Sequence, residues 1–395
     1  MVKKNGMKEI QWNRRLGILG GGQLGKMLAL AGAPMHLDIL AMDKDSSFPA
    51  APYVKKFVQG DFNDYDDVLD FGRQVDVLTI EIEHVNTAAL VRLREEGVVV
   101  HPDPDKLAII QDKGLQKQFY LNNGLPAVPF RLYDNSSAIR EAVAEGRQEL
   151  PFVQKTRTAG YDGRGVAIIR EETDLDHLLM GPSVVEPLMP IEKEISVIVA
   201  RNEAGEVRVF PPVEMVFHPT ANLVEFLLSP ARIPDRIARE AEVLGIAAIE
   251  AFDLCGLLAV ELFMDAAGRL LINEVAPRPH NSGHQTIEGN VTSQFQQHLR
   301  AVLNMPLGDP SVVRPSAMIN LLGAPGHQGA VRYEGMEEVL SQSGAYVHLY
   351  GKTETRPYRK MGHLTVTAPT VEEVLQRAQS LEHTLQIVAE TGVTT

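Results

Sequence analysis

Residues 258–284 read LAVELFMDAAGRLLINEVAPRPHNSGH, two apolar strands that each carry one carboxylate a hydrophobic core would not select. The alternation predicts strands over Leu258–Met264 and Arg269–Val275, joined by Asp265-Ala266-Ala267-Gly268, whose glycine accommodates the positive φ of a tight connection. If Met264 opposes Arg269, Ala259 opposes Glu274, and Glu261 lies two residues along the same face as a diagonal neighbour of Glu274. A one-residue slip separates the two carboxylates. Like charges this close on a half-buried surface need a compensating cation. Mg²⁺ suits them, since it is held by one or two carboxylates plus substrate phosphate oxygens. The competing reading leaves one glutamate facing solvent on an edge strand.

Outward from the hairpin, the 395 residues exceed one ordinary core and imply two to three domains. Apolar residues make up 44% and charged residues 23%, an ordinary globular balance. The formal charge of −13 argues against nucleic acid or an anionic membrane as the main partner. Any bound phosphate then needs local glycine loops and a few placed cations. Cys255 is the only cysteine, which excludes an intramolecular disulfide and a cysteine-based zinc site. The opening MVKKNGMKEIQWNRR has no apolar core of a signal peptide, and no later apolar run approaches membrane-spanning length, so the expected location is the cytoplasm.

Residues 1–111 alternate strands and helices, the pattern of a Rossmann-like parallel sheet. The run Leu16–Leu19 meets Gly20-Gly21-Gly22-Gln23-Leu24-Gly25 and then a helical pattern; a second strand ends at Asp43. This spacing fits a dinucleotide, another phosphorylated or ribose ligand, or a structural turn. The strand Val77–Ile80 ends in Glu81-Ile82-Glu83, which places carboxylates either in the ligand crevice or at a helix N-terminus.

Residues 112–308 form a second unit. Lys155 closes the strand Phe152–Lys155, directly before a glycine-rich turn that returns into Val166–Ile169. No helix follows and the Gly-Lys-Ser/Thr ending is absent, so the segment is a hairpin flap rather than a P-loop. Its backbone N–H groups can close over phosphates, with Lys155 as a point charge. Glu186 and Pro187 sit where a hinge between two lobes runs, and an amphipathic helix over about 235–249 precedes the carboxylate hairpin. Residues 309–395 are a small β-rich third unit with a basic turn carrying Lys352, Arg356, Tyr358, Arg359, Lys360 and His363, either a solvated loop or a phosphate clamp centred on Arg359 and Lys360.

Lys155 before the glycine hairpin, Glu186 at a hinge, Glu194, then Glu261 and Asn273-Glu274 on paired strands resemble the ATP-grasp family. Within it, GYDGRG at 160–165, NEVAPRPHNSGH at 273–284 and RPYRKMGHL at 356–364 are similar to the 5-(carboxyamino)imidazole ribonucleotide synthases of purine biosynthesis, from about residue 15 to 390. The resemblance implies an ATP-grasp fold and a reaction in which ATP phosphorylates bicarbonate and the carboxyl group passes to 5-aminoimidazole ribonucleotide. It implies Lys113 and Lys155 on nucleotide phosphates, and Gly160, Tyr161, Asp162, Gly163, Arg164, Gly165 and Val166 as the flap. Glu186, Pro187, Leu188 and Met189 would line adenine, Glu194 would face the ribose, and His218 and Asn273 would contact the nucleotide. Glu261 and Glu274 would hold Mg²⁺. Gln23, Leu24 and Glu81 would hold the ribonucleotide together with Lys352, Arg359 and Lys360, while Tyr161, Asp162, Arg278 and Asn281 would stand at its reacting side. The first unit then binds a mononucleotide rather than a dinucleotide. A homodimer is also implied. The nearest rival is the formate-using ATP-grasp enzyme acting on glycinamide ribonucleotide, against which stand the 160–165 flap and Asn281-Ser282-Gly283-His284.

Overall fold

The strands Leu16–Leu19 and Val77–Ile80 are buried on both faces, as interior parallel strands require, with Thr79 their one polar side chain, 2.9 Å from His298 Nε2. The structure, a computed structural model, describes residues 13–158, 160, 165–217 and 224–390. In its first sheet the strands lie side by side as Lys56–Gln59, Ile39–Asp43, Leu16–Leu19, Val77–Ile80 and Val99–Val100, all parallel. The chain therefore winds outward from Leu16–Leu19 in one direction and then, from Val77–Ile80, in the other. The ends of those two strands flank the switch point where such sheets open a crevice. Gly20–Gly22 and Glu81 occupy it, and the helix Gln23–Gly32 starts there.

A small antiparallel sheet of Arg131–Tyr133, Ser183–Pro187, Phe152–Thr156 and Val166–Ile169 forms one lobe over a core of Ile139, Phe152, Ile169 and Val185. Facing it is a large sheet in the order Leu270–Ala276, Gly256–Met264, Lys193–Arg201, Val213–Phe217, Val224–Ser229, Ser316–Leu322, Lys360–Thr367 and Ala345–Leu349, with Val207–Val209 paired to Lys193–Arg201. The helix Asp235–Phe252 covers the outer face. Its buried Ile237, Ala241, Leu244, Ala248 and Phe252 recur every three to four residues and meet Ile195, Val197, Val199, Leu258, Val260 and Leu262. Gly245 permits this approach, since a Cβ there would stand 2.9 Å from Val199 Cγ2. The helix runs three residues beyond the expected end at 249 and stops where Asp253 turns left-handed with φ of 50°.

Phe252 closes this core. Its ring stacks on Phe119 at 3.9 Å between centroids and meets Tyr120 edge-on at 6.3 Å, which pins the helix Lys113–Asn122 against the sheet. Phe252→Ala is expected to lower unfolding stability by about 3–5 kcal/mol through the cavity it leaves, measurable by urea denaturation. A loss below about 1 kcal/mol would contradict this packing.

The large sheet does not stop at residue 309. Phe226 pairs with Ile319 and Leu228 with Ala317, so Ser316–Leu322 extends the sheet that bears the carboxylate hairpin. Lys360–Thr367 is added next, with His363 opposite Asn320. The final helix, Val371–Leu381, packs on the apolar face of these strands. Among the described residues, no helix is long and apolar enough to cross a membrane.

Candidate active site

Glu261 and Glu274 stand directly opposite one another, not on the expected diagonal. Two local features cause the change. Arg269 belongs to the turn rather than the strand, because Asp265 accepts backbone N–H groups from Ala267 at 2.9 Å and Arg269 at 3.0 Å, so Met264 pairs with Leu270. A bulge then inserts Asn273, with Leu262 opposite Ile272 but Glu261 opposite Glu274. Either shift alone would flip the facing set; together they restore it. The bulge also turns Asn273 toward the side that Glu274 occupies, where strict alternation would have sent it to the opposite face.

Register places further groups on this inner face. Ser196 pairs with Glu261 and Glu194 with Phe263, so Glu194, Ser196, Phe263, Glu261 and Glu274 share it while Ile195, Val260 and Leu262 face the helix. Across the cleft, Lys155 Nζ donates to Asn273 Oδ1 at 2.7 Å and pairs with Glu186 at 2.8 Å, lying 5.8 Å over the Phe263 ring. Lys113 pairs with Glu274. It is the first residue of the helix whose N-cap, Asp112, accepts from Gly114 N at 2.7 Å and grips Arg157 through Nε at 2.8 Å and Nη2 at 2.7 Å. The helix start is thereby tied to the strand end that carries Lys155.

The two carboxylates differ electrostatically. Burial pushes the Glu261 carboxyl up, and neighbouring Glu274 and Glu194 push the same way. Burial acts likewise on Glu274, but Lys113 and Lys155 outweigh it and hold that carboxyl down. Glu274 keeps 39% of its side chain exposed, so its cations, more than burial, decide its state. Burial pushes Glu194 up to about 7 despite Lys155. His280 completes the arrangement: its Nε2 lies 3.3 Å from Glu261 Oε1, and its Nδ1 is 2.8 Å from Ser282 Oγ, itself 2.6 Å from Ser196 Oγ. An opposed carboxylate pair, lysines poised across a cleft and a hydrogen-bonded histidine fit a divalent cation with bound phosphates.

A second cluster draws on all three parts of the chain. Glu81 accepts the N–H groups of Gly22 and Gly25, so it caps the helix that the glycine turn opens. Burial pushes its carboxyl up to about 7, with those two N–H groups pulling it down. A side chain at Gly20 would collide with Glu81 Cγ at 2.2 Å, which accounts for the glycine there. Gln23 is half-buried at the start of that helix, and the Leu24 side chain packs into the core. Arg278 pairs with Glu83 at 2.8 Å. Lys352 donates to the Lys360 carbonyl at 2.7 Å; burial, then Arg359 and Lys360, push its ammonium down to about 8, while Glu81 opposes. Arg359 reaches the Glu354 carbonyl at 2.8 Å. The turn between them holds Tyr358 at φ of 61°, a left-handed conformation that a bulky residue rarely adopts, on a side chain 51% exposed.

Family models cover the chain in consecutive blocks: a ribonucleotide synthetase preATP-grasp domain over residues 13–111, an ATP-grasp domain over 118–295 and a phosphoribosylaminoimidazole carboxylase C-terminal domain over 316–377. The N5-carboxyaminoimidazole ribonucleotide synthase of Bacillus subtilis is 34% identical over 366 residues, spanning 91% of this chain and 93% of that protein. This chain belongs to the N5-carboxyaminoimidazole ribonucleotide synthase family. The family's Thermotoga maritima crystal structure superposes with a TM-score of 0.87 at 40% identity, covering 95% of this chain and all of that one. An Aspergillus clavatus structure, described as a complex with ADP and 5-aminoimidazole ribonucleotide, gives 0.86 at 32% identity over 94% of this chain and 98% of that one. The chain spans 65–70% of the length of the yeast and plant phosphoribosylaminoimidazole carboxylases it also matches.

The fold is thus that of an ATP-grasp synthase, with a parallel-sheet first domain and antiparallel sheets beyond it. Of the residues singled out by sequence, Lys113, Lys155, Glu186, Glu194, Glu261, Asn273 and Glu274 converge on one cleft. Gly160, Gly165 and Val166 flank the flap: Lys155 pairs with Val166, and Gly165 takes φ of 78°. Pro187 ends the hinge strand, with Leu188 and Met189 half-buried beyond it. Asn281 is half-buried in the turn Asn281–Gly283. Tyr161, Asp162, Gly163, Arg164 and His218 lie outside the described residues. Sequence reasoning missed three residues of the synthase cleft: Arg157, which docks the helix, His280 beside Glu261, and Lys117, which pairs with Glu186 at 2.5 Å. The Pro279-His280 step inside an otherwise recognised motif was the available signal for His280.

Proposed function

We propose that the chain catalyses ATP- and bicarbonate-dependent carboxylation of 5-aminoimidazole ribonucleotide to 5-(carboxyamino)imidazole ribonucleotide, with release of ADP and phosphate, as a ligase of de novo purine biosynthesis. One observation carries the reading. The strand bearing Glu274 runs without interruption into the loop that sends Arg278 to Glu83, so a phosphoryl-donor cleft and a three-part acceptor cluster share one backbone segment. The division at residues 111 and 308, a homodimer and a cytoplasmic location are part of the same proposal; light scattering tests the dimer.

In this reading bicarbonate oxygen attacks the γ-phosphorus, the bond to ADP breaks, and carboxyphosphate forms. The acceptor's exocyclic amine then takes the carboxyl carbon, phosphate leaves, and the amine gives up a proton. Lys113 and Lys155 offset charge on the phosphoryl oxygens, and Asn273 fixes Lys155 across the cleft. Glu261 and Glu274 are the residues that would hold Mg²⁺, a cation that neutralises phosphate oxygens when bound. The hairpin from Gly160 to Val166 closes over the nucleotide and keeps water from carboxyphosphate. Glu194 faces the ribose, Glu186 to Met189 line adenine, and His218 contacts the nucleotide. Tyr161, Asp162, Arg278 and Asn281 stand at the reacting side of the acceptor. Gln23, Leu24, Glu81 and Lys352 hold its ribose and phosphate end with Arg359 and Lys360.

The test is a panel of acceptors with MgATP, read as ADP release. Release that requires both bicarbonate and 5-aminoimidazole ribonucleotide supports the assignment; stimulation by formate with glycinamide ribonucleotide transfers it to the rival enzyme. Arg359→Ala and Lys360→Ala are each expected to raise KM for the ribonucleotide by roughly tenfold or more, the scale of one charge-assisted hydrogen bond, with little change for ATP. Collapse of ATP binding with an unaffected acceptor KM would move this turn to the nucleotide site.

A further inference from the structure

Lys117 lies one helical turn beyond Lys113, yet its side chain is only 3% exposed, a depth lysine rarely reaches unpaired. Its Nζ is 2.5 Å from Glu186 Oε1 and 3.4 Å from the Ile272 carbonyl oxygen. The second oxygen of Glu186, equally buried, takes Lys155 at 2.8 Å. One carboxylate therefore serves two cations. Lys155 is the more exposed of them, at 12%, and already reaches across the cleft to Asn273. Lys117 is the more deeply buried, and its other contact is the Ile272 carbonyl in the backbone of the carboxylate hairpin itself.

A buried carboxylate with a single counter-ion holds that ion tightly, because the ion's departure leaves an uncompensated charge in a poorly solvated place. With a second cation fixed on the opposite oxygen, the carboxylate stays compensated when the first one leaves. We infer that Lys117 is a positioning residue: a resident counter-ion that keeps Glu186 neutralised while Lys155 exchanges from Glu186 to a nucleotide phosphate. Lys117 itself touches no nucleotide. Burial pushes its ammonium down to about 8, with Glu186 opposing, while Lys155 and Lys117 outweigh burial and hold the Glu186 carboxyl below its ordinary range. The inference rests on reading the cleft as a nucleotide site.

The experiment is calorimetric binding of ADP with Mg²⁺ to the full chain in a double-mutant cycle of Lys117→Met and Glu186→Gln, beside thermal melts. Lys117→Met is expected to weaken ADP by roughly tenfold or more, since Lys155 is now the sole counter-ion of Glu186. With Glu186→Gln as background there is no buried anion to release, so adding Lys117→Met should change ADP affinity less than twofold. Lys117→Gln, which keeps a donor toward Glu186 without its charge, repeats the comparison should the methionine variant fold poorly. Equal losses in both backgrounds would show that Lys117 only packs, and would overturn the inference. A Lys117→Met protein that binds ADP like wild type would overturn it as well. A wild-type protein that binds no ADP would instead reject the nucleotide-site reading, and the inference with it.

Discussion

Glu274→Gln and Glu261→Gln are each expected to lower kcat/KM for MgATP by about a hundredfold or more, roughly 3 kcal/mol of transition-state stabilisation. The two variants should part company in stability. Glu274 neutralises Lys113, so its amide leaves an ammonium that is 22% exposed without its anion, and a lower Tm is expected. Glu261 sits among like charges, with Glu274 directly opposite and Glu194 on the same face, and burial already disfavours its ionised form. The isosteric amide removes that repulsion, so Glu261→Gln should melt at or above the wild-type temperature while losing activity. A Mg²⁺ titration should show a raised requirement in both. Near wild-type turnover in the two variants would reject the shared cation site.

Lys155→Met is the second large loss expected, about a hundredfold in kcat/KM for ATP, because the ammonium that bridges the cleft to Asn273 disappears from where the phosphates are placed. Folding should be largely spared. Lys117 remains on Glu186, so the buried carboxylate keeps a counter-ion. Unchanged KM and kcat for ATP would reduce Lys155 to a structural ion pair. A protein that no longer folds would show that Glu186 depends on both lysines for stability.

Much of this site was legible because its charges interrupt apolar strands. Glu261, Glu274 and Lys155 each stand where alternation calls for a buried face or a clean strand end, and that violation is visible in a single sequence. The parallel first sheet was legible for the converse reason, since Leu16–Leu19 and Val77–Ile80 carry no charge and only one polar side chain, Thr79. The bulge at Asn273 was not, because one inserted residue leaves the hydrophobic pattern intact on either side of it. Lys117 was hidden by its spacing: four residues after Lys113 on a helix, it reads as part of a solvated stripe, and only the approach of Glu186 from another sheet buries it. Glu81 illustrates a third limit. The glycine fingerprint signals a helix N-terminus ready for an anion, and here an internal carboxylate takes that position. Continuity of the large sheet past residue 309 depends on pairing Phe226 with Ile319, a contact across ninety-odd residues that no local pattern announces.

The most direct test of the central claim is the fate of labelled bicarbonate. The full chain is incubated with MgATP, ¹³C-bicarbonate and 5-aminoimidazole ribonucleotide, and the carbon spectrum is followed alongside ADP release. The account predicts a new carbamate carbon on the exocyclic nitrogen of the ribonucleotide, appearing in step with ADP and absent when ATP or the acceptor is omitted. ADP release with no label on the acceptor, or label on glycinamide ribonucleotide from ¹³C-formate instead, would contradict it.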